Sequence, residues 1–167
     1  MENIFQNIGE EELQERIDII KHKLKFIDQR PTVLCLESLT PLTIAGDQIK
    51  EMISVAGGVT AVAETYETLN SITWEQVQSG NPDIIVIMLR GISVEAAMKH
   101  IYLLLEQPGF AELKAVKNDR VYIADGEKYF SHDVANVVDS LELLAEIINP
   151  KQFIFGNEGT GWIKFSV

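Results

Sequence analysis

The chain has 167 residues, 46% of them hydrophobic and 8% aromatic, and a formal net charge of −11. That length suits one domain with a full core and is short for two ordinary lobes plus a linker. The apolar content excludes disorder, no stretch reaches the roughly 20 uninterrupted apolar residues of a membrane helix, and the acidic balance makes nucleic acid and anionic membranes poor partners.

From Glu10 to Ile27, the residues Leu13, Ile17, Ile20, Leu24 and Ile27 recur at spacings of four, three, four and three. This is one apolar seam on a helix, and it needs a surface to lie against. Pro31 ends the helix, and Thr32 to Glu37 read as a strand apolar on both faces. Thr40-Pro41 supplies an N-cap and a first helical residue, so Leu42 to Ala56 are expected to be helical until Gly57-Gly58 stops them. A short strand is expected at Thr60 to Ala63. Thr73, with Gln76 three residues on, fits a capping box for a helix running to Gly80.

Asn81-Pro82-Asp83 forms a turn before Ile84 to Leu89, the clearest buried strand of the chain. Ser93 caps a helix expected to run through Glu106, Pro108-Gly109 breaks it, and Arg120 to Ala124 form the next strand. Asp133 caps a final helix over Val134 to Ile148, which Asn149-Pro150 stops. The glycine-rich yet aromatic tail from Phe153 to Val167 is expected to pack as an irregular arm.

Alternating helices and strands imply right-handed crossovers. The expected fold class is α/β: a three-layer α/β/α lobe over residues 30–167 with a mostly parallel sheet, preceded by a long N-terminal helix within residues 1–29. Ligands of such sheets bind beyond the carboxyl ends of the strands, which directs attention to the loops after Glu37, Leu89 and Ala124.

Catalytic chemistry is sparse. No glycine-rich phosphate-binding pattern occurs, and His22, His100 and His132 have no metal-ligand spacing, so neither a nucleotide cofactor nor a metal cage is expected. Ser131-His132-Asp133 are consecutive, and their side chains diverge too far to act as a nucleophile, base and orienter. Cys35, the single cysteine, lies in the apolar run Val33 to Leu36 and reads as a core residue. The chain is expected to be no enzyme. Met1-Glu2-Asn3-Ile4 has no export signal, which taken alone points to the cytoplasm.

Three segments carry a family likeness: RPTVLCLE from Arg30, WEQVQSGNPDIIVI from Trp74, and VKNDRVYIADGEKYFSHDVANVVDSLELLAEIINP near the C-terminus. Together they resemble the C-terminal lobe of helical-backbone ABC-transporter solute-binding proteins, the group that captures cobalamin, haem and iron–siderophores. The resemblance implies non-catalytic capture of such a ligand and delivery to an ABC permease in the periplasm or cell envelope. It also implies an N-terminal lobe that this sequence does not contain, and it makes the seam from Leu13 to Ile27 the distal part of the helix linking the lobes.

The same resemblance nominates site residues. Corrinoid-binding relatives carry a pattern resembling L-E-W-x-x-P after the first strand, and Glu37 and Ser38 stand there, Ser38 replacing the flat aromatic. The run Asp125 to Phe130 is similar to a D-G-x-x-Y-F turn that faces the cleft in relatives. Tyr129 and Phe130 would touch the ligand, and Lys128 or His132 would pair with a carboxylate or propionate. Glu75 matches an exposed acidic residue that docks on arginines of the membrane subunit. The plainer readings are that Tyr129 and Phe130 cover a sheet edge and that the helix dipole alone favours Glu75. A second functional expectation is a cytoplasmic homolog without transport, acting as an interaction module that forms a homodimer through the N-terminal helix seam. A Rossmann-like enzyme is disfavoured by the missing glycine fingerprint.

Overall fold

Three short apolar runs make the centre of the molecule. Val33 to Leu36, Ile84 to Ile87 and Val121 to Ala124 are buried at every position, as strands covered on both faces must be. The computed structural model describes residues 10–62, 70–130 and 134–166. The strands are β1 (Thr32–Leu39), β2 (Leu42–Ile44), β3 (Val59–Thr60), β4 (Ile84–Ile87), β5 (Val121–Ala124) and β6 (Trp162–Lys164). The helices are α1 (Glu11–Leu24), α2 (Asp47–Val55), α3 (Trp74–Gly80), α4 (Val94–Met98), α5 (Tyr102–Leu105), α6 (Lys114–Lys117) and α7 (Val134–Ile148), with a 3-10 turn at Phe110–Glu112.

The sheet runs β2-β1-β4-β5-β6, and β3 pairs with the start of β1 on the edge whose far half pairs with β2. β3, β1, β4 and β5 are parallel, whereas β2 and β6 are antiparallel edges. Alternate strand residues feed two cores. Val33, Cys35, Ile84, Val86, Tyr122 and Ala124 pack with residues of α1, α2 and α7, while Leu34, Leu36, Ile85, Ile87, Val121 and Ile123 pack with residues of α3 to α6. The result is the expected three-layer α/β/α arrangement with a mostly parallel sheet.

α7 is apolar around most of its circumference, and it is buried because it lies between the sheet and α1. Arg120 ties its end down by donating to the carbonyls of Ile147 at 2.8 Å and Ile148 at 3.2 Å. The seam of α1 is consumed by this packing: Leu13, Ile17 and Ile20 are buried and Leu24 packs against the same core. Arg16 reinforces the contact, reaching Asp139 at 2.5 Å and also Glu142. These two carboxylates, Glu142 foremost through its hydrogen bond, raise the Arg16 pKa above its ordinary value. The homodimer expected through an exposed seam is therefore corrected, because the seam already has its partner inside the chain.

Several other boundaries differ from expectation. The segment after Thr40-Pro41, whose peptide bond is cis, does not begin a helix. Leu42–Ile44 instead folds back on β1, with Leu39 opposite Leu42, and α2 starts only at Asp47 behind Gly46. The cap signal lost because the β-compatible run Leu42-Thr43-Ile44 could extend the sheet across a two-residue turn. The helix expected from Ser93 to Glu106 is broken into α4 and α5, and the strand expected at Thr60 to Ala63 lies at Val59–Thr60. The tail is no irregular arm throughout: Trp162–Lys164 adds β6 to the edge of β5.

Other expectations hold. Gly57 takes φ +100°, with hydrogen bonds from Gly57 N to the Ser54 carbonyl and from Gly58 N to the Ile53 carbonyl closing α2. Thr73 and Gln76 form the capping box of α3. Asp133, expected to cap α7, lies outside the described residues.

Candidate ligand-binding groove

The parallel strand order β3-β1-β4-β5 reverses direction at β1, since the chain steps to β3 on one side and then returns to β4 on the other. α2 and α3, which make these two steps, belong to opposite faces of the sheet. Loops therefore diverge at the carboxyl end of β1, where doubly wound sheets leave a crevice.

Two adjoining hollows occupy that end. One, about 520 Å³, lies between the β1–β2 hairpin and the segment after β4, lined by residues including Ser38, Leu39, Thr43, Ile92, His100 and Leu103. The other, about 210 Å³, is bounded by the first turn of α2, Met88, Gly126 and Phe130. Glu37 and Arg90 line both.

These two residues form the ridge between the hollows. Arg90 N donates to the Glu37 carbonyl at 3.2 Å, and Arg90 Nη2 lies 3.3 Å from Glu37 Oε2. The Arg90 side chain is 82% exposed and that of Glu37 22%. An ion pair so exposed contributes little to stability, so the guanidinium can leave Glu37 for another oxyanion at small cost. The floor is tight. Gly91 N donates to the Gly126 carbonyl and Gly126 N to the Ile92 carbonyl, bringing the loops after β4 and β5 together beneath the ridge.

The nominated residues divide. Glu37 and Ser38 line the larger hollow, Glu37 and Phe130 the smaller. Phe130 has φ +70° and donates its N–H to Ser140 Oγ at 2.8 Å, which fixes the turn that presents it. Tyr129 points the other way. It is 8% exposed, belongs to the core beside α7 and donates its hydroxyl to Asn157 at 3.2 Å. Burial, followed by the charges of Asp139, Asp125 and Glu146, raises the pKa of its phenol.

Lys128 Nζ lies 5.7 Å from the Tyr129 ring, and both residues border a separate hollow near Asp139 and Glu142. The structure thus joins Glu37, Ser38 and Phe130 at one groove and leaves Tyr129 and Lys128 outside it. His132 lies outside the described residues.

Glu75 is exposed in the first turn of α3. The segment leading into α3 runs beside β2, with Ile72 N bonded to the Leu42 carbonyl, so Glu75 sits toward the groove end of the sheet. Sequence reasoning missed Arg90 and His100. Arg90 was findable as the first charged residue after the apolar run Ile84 to Leu89. His100 offered no such signal, since only the break between α4 and α5 turns it to the groove.

Residues 10–127 match the profile of the family described as periplasmic binding protein. The chain belongs to that family. Periplasmic binding proteins of solved structure share its fold. A TroA-like periplasmic binding protein, FepB, from Veillonella parvula is 21% identical with a TM-score of 0.69, covering 84% of this chain and 46% of its own. An ABC transporter substrate-binding protein from Listeria monocytogenes EGD-e is 23% identical with a TM-score of 0.71, covering 83% and 55%. S. aureus IsdE, solved in complex with heme, is 22% identical with a TM-score of 0.69, again covering 83% and 55%. The chain therefore spans about half the length of these structures. No curated protein matches it.

Proposed function

We propose that this chain is the solute-gripping lobe of an ABC uptake system for haem or a ferric chelate, binding its cargo without chemistry and presenting it to a permease. The observation that carries this reading is the Glu37–Arg90 ridge between two hollows at the topological switch point of the sheet. Arg90 offers a forked, exposed donor for a propionate or chelate oxygen, and Phe130, Leu39, Ile92 and Leu103 supply apolar walls for the body of a flat ligand.

The family match and a solved relative complexed with heme support a small chelate as cargo. Cobalamin fits less well, because Ser38 stands where a flat aromatic would support a corrin ring. The groove is open on one side, so tight binding requires a second wall to close over the ligand and strip its water. In this reading Glu75, exposed toward the groove end, meets basic residues of the permease, and the protein works in the periplasm or cell envelope.

The test is titration of the purified chain with haemin, a ferric siderophore and cyanocobalamin, followed by absorbance shifts and tryptophan quenching. Saturable binding of haemin or the ferric siderophore, weakened about tenfold by Arg90→Ala, supports the reading. Saturable binding of cyanocobalamin alone, or binding of haemin or the siderophore indifferent to both Arg90→Ala and Phe130→Ala, overturns it.

A further inference from the structure

A strained turn needs something to hold it. Among the described residues, those other than glycine that take positive φ are Asn70, Asn81, Asp119 and Phe130. Asn and Asp adopt this left-handed backbone with some ease, whereas a bulky aromatic residue rarely does. Phe130, at φ +70°, keeps its conformation only because its surroundings impose it, and residues held in this way gather at ligand clamps.

The hold comes from α7. Ser140 is fully buried in the middle of this apolar helix, where a hydroxyl is tolerated only if it is bonded. Its Oγ accepts the N–H of Phe130 at 2.8 Å and donates to Asn136 Oδ1 at 3.4 Å. Asn136 Nδ2 in turn donates to the Lys128 carbonyl at 2.7 Å. The front of the turn is tied down by Asp125, whose Oδ1 accepts the N–H groups of Glu127 at 2.9 Å and Lys128 at 3.0 Å. The bonds at Lys128 and Phe130 bracket Tyr129, so the backbone between them sends Tyr129 into the core and Phe130 to the smaller hollow.

Among the described residues that line the two hollows, Phe130 carries the only benzene ring. We propose that Ser140, which lines neither hollow, is a positioning residue for the cargo. Through the Phe130 N–H it holds that ring at the groove, and it thereby sets the preference for a ligand with a flat conjugated face over an aliphatic one. The inference rests on the groove being the ligand site, as proposed above. Without the Ser140 hydroxyl, the Phe130 N–H loses its acceptor, the backbone relaxes toward negative φ, and the ring turns away from the hollow.

The experiment compares the full chain with its Ser140→Ala variant, which removes one oxygen and adds no bulk. Amide hydrogen exchange read by NMR needs no ligand: the Phe130 amide should exchange about tenfold faster in the variant, while Val86 and Ile123 in the central strands keep their protection. Haemin titration supplies the second reading. Ser140→Ala and Phe130→Ala should each weaken haemin binding by about fivefold or more, and the double variant should be no weaker than Phe130→Ala, whereas Arg90→Ala should add independently. Ferrioxamine B, an aliphatic chelate, should change by less than about twofold, which a general loosening of the groove would not allow. Unchanged exchange at Phe130 overturns the proposal. So does haemin binding indifferent to Ser140→Ala, an equal loss for both chelates, or an effect that persists in the Phe130→Ala background. Haemin binding indifferent to Phe130→Ala and Arg90→Ala alike is a separate failure, which takes the ligand away from the groove. Where neither chelate binds the single lobe, the exchange result decides: a released Phe130 amide supports the positioning role and a protected one overturns it.

Discussion

A Cβ placed on Gly126 would lie 1.9 Å from the carbonyl oxygen of Leu89, a backbone atom that no side-chain rotation can move aside. The loops leaving β4 and β5 touch backbone to backbone at this point, which closes the floor of the groove. Gly126→Ala should therefore destabilise the fold by about 2–3 kcal/mol or more, with the excess over ordinary overpacking set by how far the loops part. Urea unfolding followed by far-ultraviolet circular dichroism measures it. A loss below about 0.5 kcal/mol would show that the loops separate freely.

Ile17 is fully buried between α1 and α7. Ile17→Ala should cost about 2–5 kcal/mol, from lost burial together with the cavity left behind. If α1 instead lay loosely against the lobe, the same substitution would change the unfolding midpoint only slightly. The variant thus measures directly how firmly α1 is held.

Glu146 is buried and accepts three N–H groups: Trp162 Nε1 at 2.7 Å, Phe155 N at 2.5 Å and Asn157 N at 3.2 Å. It pins the tail and β6 to α7. Glu146→Leu removes the acceptor from all three donors and should cost roughly 2–4 kcal/mol, while Glu146→Gln, which keeps one carbonyl oxygen, should cost less. Thermal unfolding read at Trp162 fluorescence in a Trp74→Phe background, where the single emitter sits in the tail, distinguishes them. Equal losses in the two variants would contradict the account.

Burial pushes the Cys35 thiol from 9.0 up to about 12. The native chain should be nearly inert to thiol reagents at pH 8 and react stoichiometrically in denaturant. Because the folded-state pKa is raised, the stability linked to this thiol is fully present below pH 9 and is lost as pH rises toward 12. Rapid native-state labelling at pH 8 would sink the prediction.

Arg90 is exposed enough that Arg90→Ala should shift unfolding free energy by no more than about 0.5 kcal/mol. Parallel melting and ligand titration of this variant separate a binding role from a structural one. A large stability loss would move Arg90 from the groove's chemistry to its scaffold.

The strand runs at Val33 to Leu36, Ile84 to Ile87 and Val121 to Ala124 were legible because short continuous apolar runs bounded by turn and charged residues fit a strand buried on both faces. The seam of α1 was equally plain, and so was α7. The hairpin after Thr40-Pro41 was not: a cap signal and a turn signal share the same two residues, and only the edge of β1 decided between them. The break between α4 and α5 left no such mark either, though it turns His100 into the groove.

The sequence by itself determined the layered α/β class and the strand ends that could hold a site, because periodicity and local stop signals act over a few residues. Tertiary structure alone decided which of those ends meet. It buried Tyr129 against α7 while presenting Phe130, paired Arg90 with Glu37 across 53 residues, and gave the seam of α1 to α7 rather than to a partner. Such choices depend on contacts between distant segments, and no local pattern records them.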